Sequence, residues 1–88
     1  MSVTETPETR LKRLGMRSWR RGTKEMDLIL GPYADAALAR LDAAALEAYE
    51  ALLNENDQDL YAWITGRTAV PPSHQPIIDS LRTFHKIN

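Results

Sequence analysis

Met26, Ile29, Leu30, Tyr33, Ala37, Leu38 and Leu41 keep one helical phase straight across Gly31–Pro32. A proline inside a helix removes a hydrogen bond and kinks or breaks it, yet here the apolar face continues on the far side. The stretch is therefore expected to be one kinked helix or two short helices nearly in line. The same spacing recurs in Leu11, Leu14, Gly15 and Ser18, in Leu46, Tyr49, Leu52 and Leu53, in Leu60, Trp63 and Ile64, and in Ile77, Ile78, Leu81 and Phe84. Sustained period-two alternation with β-branched residues is missing, so no strand is expected. The fold class that follows is all-α, a compact bundle of about five short helices in a single domain over residues 1–88.

Capping chemistry sets the expected boundaries. Thr6 suits an N-cap, with Pro7 and Glu8 in the first turn, so residues 1–6 read as a flexible tail and helix 1 runs to about Arg20. Gly15 costs about 1 kcal/mol against alanine in mid-helix, which suggests another helix approaching closely there. Asp42 is expected to cap helix 3. Asn54-Glu55-Asn56-Asp57 reads as a turn before helix 4, and Gly66 as the C-terminal cap of that helix. Residues 67–75 form a proline-containing loop before a last helix near Pro76.

The joint between helices 1 and 2 carries the unusual chemistry. In Ser18-Trp19-Arg20-Arg21-Gly22-Thr23-Lys24-Glu25-Met26-Asp27, two arginines abut a glycine and a carboxylate follows three residues later. A G-x-x-E step can start a helix, with Gly22 at the N-cap and Glu25 at N3 reaching back to it. On residue chemistry alone the stretch is either a capped connection with solvated charges or a docking surface for a charged or planar partner. Trp19 beside Arg20 and Arg21 has the composition of a small interface hot spot.

Composition excludes several classes of function. There is no cysteine among the 88 residues, so disulfides, iron–sulfur clusters and thiolate zinc sites are out, and a cytoplasmic location is expected. No apolar run approaches the roughly 20 residues of a membrane span, and Met1 to Pro7 has neither a hydrophobic core nor an Arg-rich leader pattern. The net charge is −1 but unevenly placed: through Lys24 the bases dominate, from Glu25 onward the acids. A basic first helix can suggest nucleic acid, but the acidic remainder would repel phosphate, so no nucleic-acid partner is expected. His74 and His85 are not placed beside a serine and an acid, so no catalytic residues and no metal ligands are assigned. Asp57 and Asp59 read first as helix-capping acids and second as a partner contact. With no dinucleotide fingerprint, tight FAD binding by the chain alone is not expected.

Three motifs in order carry a family resemblance: Arg21-Gly22-x-x-Glu25 with Met26 and Asp27 behind it, Tyr49-Glu50-x-Leu52-Leu53, and Asp57-x-Asp59-Leu60-x-x-Trp63. From about Leu11 to Gly66 the chain resembles the SdhE-type flavinylation factors, small helical proteins that assist covalent attachment of FAD to the flavoprotein subunit of succinate dehydrogenase. The resemblance implies a non-enzymatic, monomeric assembly factor. It would bind that flavoprotein, or the related one of fumarate reductase, while FAD is handled on the partner. Its contact surface would comprise Trp19, Arg20, Arg21, Gly22, Glu25, Met26, Asp27, Asp57 and Asp59, with no membrane insertion. The rival readings are an antitoxin-type protein-binding module and a basic-helix nucleic-acid binder.

Overall fold

Five α-helices make up the computed structural model, which describes residues 5–87. They are α1 (Pro7–Trp19), α2 (Lys24–Ala37), α3 (Ala43–Leu53), α4 (Asp57–Ile64) and α5 (Gln75–Phe84). Short 3-10 turns follow α2 at Leu38–Arg40 and precede α5 at Pro72–His74. Among the described residues there is no strand, as the apolar spacing requires.

Side-chain caps start most of the helices. Thr6 accepts the Thr9 N–H, Asp42 the Ala45 N–H and Asn56 the Asp59 N–H. At the second helix the cap is Thr23, whose Oγ1 accepts the Met26 N–H at 3.3 Å. Gly22 therefore lies one residue before the cap, and Glu25 sits in the first turn without bonding back. The physical reason is that threonine brings its own acceptor to the cap position and glycine has none. Gly66 has φ +78 just past α4, and the N–H groups of Gly66 and Arg67 return to the carbonyls of Trp63 and Ala62. That double closure needs a left-handed residue, which explains the glycine. The tail expected over residues 1–6 is engaged at its inner end, where Thr6 caps α1 and Glu5 pairs with Arg13 at 2.8 Å. The rest of that expectation lies outside the described residues.

Helix α2 runs unbroken through Pro32. In the turn before the proline the Ile29 carbonyl receives a donor from the side, His85 Nε2 at 2.7 Å, and Tyr49 Oη lies 3.4 Å from the carbonyl of Leu30. A ladder weakened by proline is thus buttressed from the side by His85, the residue that closes α5. His85, which has no evident role in the sequence, serves here as a donor to the helix.

The core gathers Leu14 from α1, Met26, Leu30 and Tyr33 from α2, Tyr49 and Leu52 from α3, Leu60 and Ile64 from α4, and Ile78 and Leu81 from α5, all essentially sealed from solvent. Tyr33 and Tyr49 stack at 5.5 Å, and Phe84 meets Tyr33 edge-on at the same separation. Both phenols are satisfied, Tyr33 by Ser80 at 2.8 Å and Tyr49 by the buried Ser18 at 2.7 Å. Ser18 also donates to the Leu14 carbonyl at 2.8 Å, so this small polar position costs the core no unpaired group.

Candidate functional site: a clamped helix joint

The α1–α2 joint is stapled to the turn between α3 and α4. Arg21 Nε donates to Asp57 Oδ1 at 2.8 Å, while its two terminal nitrogens reach the carbonyls of Leu53 at 2.9 Å and Glu55 at 2.8 Å. The second Asp57 oxygen accepts the Gly22 N–H at 2.6 Å. Asp27 Oδ1 takes the Arg21 N–H at 2.6 Å. Arg17 adds a further donor to the Leu53 carbonyl at 3.1 Å and to Asn54 Oδ1 at 3.0 Å. A planar guanidinium can serve three acceptors at once, and the last-turn carbonyls of α3 are the groups a helix end leaves unpaired. Arginine at position 21 therefore has a structural reason that lysine would not meet.

This geometry redistributes the expected contact residues. Arg21 and Asp57 have side chains only 10% and 15% exposed and are spent on each other and on the turn. Their charge faces inward, so they fix the joint rather than present themselves. Asp57 is not a cap, because Asn56 caps α4. Met26, placed on the apolar face by its spacing and on the contact surface by the resemblance, is 1% exposed and belongs to the core, and Asp27 is half-buried against the Arg21 backbone. Trp19, Arg20, Gly22, Glu25 and Asp59 are exposed. Asp59 accepts the Asn56 side-chain N–H at 2.9 Å, whereas the Glu25 carboxylate makes no hydrogen bond or ion pair among the described residues. A Cβ at Gly22 would stand 2.9 Å from Asp57 Oδ2. A side chain at this position would press on the clamp's own carboxylate and shift it.

Beside the joint, Thr23, Glu25, Asp57, Gln58, Tyr61 and Arg67 line a surface depression of about 510 Å³. The Arg67 guanidinium lies over the Tyr61 ring, 5.6 Å from its centroid. Gln58, Tyr61 and Arg67 are not singled out by the sequence reading. The available signal is that Tyr61 stands four residues after Asp57, on the same face of α4, while Leu60, Trp63 and Ile64 form the other face. His74 also joins the site's support: its Nε2 meets Glu55 Oε2 at 2.7 Å and its ring packs on Trp63 at 5.4 Å. Glu55 is the residue whose carbonyl receives Arg21.

The basic face of α1 is largely neutralised within the chain. Arg10 and Arg13 both pair with Glu50, at 3.0 and 2.8 Å, and Arg13 also holds Glu5. Hydrogen bonding from Arg13 pulls the carboxyls of Glu50 and Glu5 below the ordinary range. Arginines already engaged by acids and carbonyls elsewhere in the chain offer little to a phosphate backbone. Among the described residues no three of His, Cys, Asp and Glu come together as metal ligands.

Fold and joint define a class first: a small all-helical protein with a rigidly clamped helix connection, exposed polar and aromatic groups around it, and open depressions on its surface. More particularly, the chain belongs to the family described as Flavinator of succinate dehydrogenase (Sdh5), whose model matches residues 12–85. It is 38% identical over 68 residues to "Succinate dehydrogenase assembly factor 2, mitochondrial" of Mycosarcoma maydis, covering 77% of this chain and 29% of that one. Against the protein of the same name from Meyerozyma guilliermondii it is 41% identical over 68 residues, 77% of this chain and 50% of that one. The 2-A form from Drosophila mojavensis is 35% identical over 86 residues, 96% of this chain and 55% of that one. The chain thus spans about half, or less, of the length of these curated relatives. No helix among the described residues is long and apolar enough to cross a membrane.

Proposed function

We propose that this chain is an assembly factor that binds the flavoprotein subunit of succinate dehydrogenase, and the related fumarate reductase subunit, and promotes covalent attachment of FAD to a histidine of that partner. Family membership and the relatives' names supply the partner class. The observation that carries the reading to particular residues is the uncommitted Glu25 carboxylate, exposed next to a joint that Arg21 and Asp57 hold rigid. A pre-organised surface binds without paying to order itself. A binding protein promotes the partner's chemistry by preferring the reactive conformation of that partner. In this reading the chain forms and breaks no covalent bond, holds no FAD tightly, and acts as a monomer. Its compartment is that of the flavoprotein it serves. We retain the cytoplasm here, whereas the named relatives are mitochondrial.

The test is co-expression of the flavoprotein with Glu25→Ala, reading covalent flavin by in-gel fluorescence and the variant's own melting temperature. Loss of covalent flavin with an unchanged melt is expected. Normal flavinylation by a folded Glu25→Ala protein would show that the joint only connects two helices.

A further inference from the structure

A second surface, on the α1–α2 face, is built with more care than a solvated helix requires. The Trp19 indole lies flat against the backbone of α2 at Gly31, where a Cβ would stand only 2.3 Å from the ring. Its Nε1–H faces both oxygens of Asp35, each at 3.2 Å. Seated below and latched at its edge, the ring still leaves Trp19 41% exposed, and neighbouring Met16 is 46% exposed. Between these side chains Gly15 opens a notch: a Cβ there would meet nothing within 4 Å. Leu11, Gly15, Met16, Trp19, Leu38 and Ala39 enclose a groove of about 480 Å³.

The charge around this groove selects its occupant. Arg10, Arg13, Arg17 and Arg21 are committed within the chain. Lys12 and Arg20 make no ion pair among the described residues, and both line the groove. The groove's own acid, Asp35, is turned to the indole. An immobilised aromatic ring, an open notch and two uncommitted cations are the parts of an interface anchor for an acidic, apolar-tipped segment.

We infer that the α1–α2 groove is a second docking surface, which receives a carboxylate-bearing segment of the partner flavoprotein with an apolar side chain in the Gly15 notch. The inference rests on the flavoprotein being the partner, but it uses a surface separate from the Glu25 depression. Gly31 is the seat that holds the ring, and Gly15 is the space the partner fills.

Titrating the purified flavoprotein subunit with three forms of the full chain tests it. Gly15→Leu fills the notch while improving helix propensity, so it should melt at or above the parent yet bind about tenfold or more weakly. Lys12→Glu combined with Arg20→Glu should also weaken binding and flatten its dependence on salt. Parent binding matched by an equally tight Gly15→Leu variant overturns the groove and leaves the assembly-factor reading standing. A parent chain that does not bind the subunit overturns both.

Discussion

Arg21 and Asp57, separated by 36 residues of chain, close a single knot: one carboxylate holds the Arg21 side chain and the Gly22 N–H together. Removing the acid leaves a nearly buried guanidinium and a backbone donor without their anion. Asp57→Ala should therefore cost about 3 kcal/mol, near the lower end of what breaking a buried pair costs. Asp59→Ala, in the same turn but exposed, removes a favourable charge at a helix start and an exposed hydrogen bond from the Asn56 side chain, and should cost at most about 1 kcal/mol. Urea denaturation of the two variants measures both. Equal losses would mean that the clamp contributes nothing to the fold.

Gly15 and Gly31 make an opposed pair for the same substitution. Gly15→Ala meets open space, so helix propensity alone acts and the protein should gain up to about 1 kcal/mol. Gly31→Ala drives a methyl into the Trp19 ring and should lose about 1–3 kcal/mol as an overpacked contact. It should also shift tryptophan emission to the red as the indole lifts into water. Thermal melts and emission spectra of both variants check the sign of each change.

These two glycines also mark how far the sequence could be read. Helix phase and caps are local, so Thr6, Asp42 and the passage of α2 through Pro32 follow from neighbouring residues. Close approach is a tertiary fact. In sequence Gly15 and Gly31 look alike, and the expectation of a close helix contact falls on Gly15, whereas the ring that needs space comes from Trp19 and lands on Gly31. The joint behaves the same way. Its position is legible in Arg21-Gly22-x-x-Glu25, but Arg21's inward orientation depends on Asp57 and on carbonyls more than 30 residues away. Glu25's availability is likewise visible only once its neighbours' partners are known.

Leu53 and Ile64 are 2% and 0% exposed, in the positions their helical spacing assigns to the core. Truncating either to alanine should cost about 2–5 kcal/mol. In α1, Arg17 is not part of the apolar set Leu11, Leu14 and Ser18, and from the sequence it would be a free surface residue. It instead donates to the Leu53 carbonyl and to Asn54. Arg17→Ala should therefore cost about 1 kcal/mol, the net value of a lost hydrogen bond, rather than nothing. Denaturant midpoints for the three variants would place Arg17 between the core pair and a neutral change. A neutral Arg17→Ala would show that this α3 carbonyl is served well enough by Arg21 alone.

Tyr49 gives the fold a dependence on alkaline pH. Burial pushes its phenol up from 10.0 to about 12, against a smaller opposing effect of the Ser18 hydrogen bond. Below pH 10 the group is neutral in both folded and unfolded chains and the full stability is present. Between pH 10 and 12 the unfolded phenol ionises while the folded one stays protonated, so the equilibrium moves toward the unfolded state. About two pH units of separation correspond to a loss of roughly 2.7 kcal/mol across that window. Tyr49→Phe removes the ionisation. It should melt lower than the parent at neutral pH, because Ser18 loses its phenol partner, but the difference should shrink above pH 10 and reverse before pH 12, where the parent's loss exceeds the roughly 1 kcal/mol of one hydrogen bond. Melting temperatures of both proteins across that range provide the check. A constant difference would mean that Tyr49 titrates alike in the folded and unfolded states, and that burial does not hold it neutral.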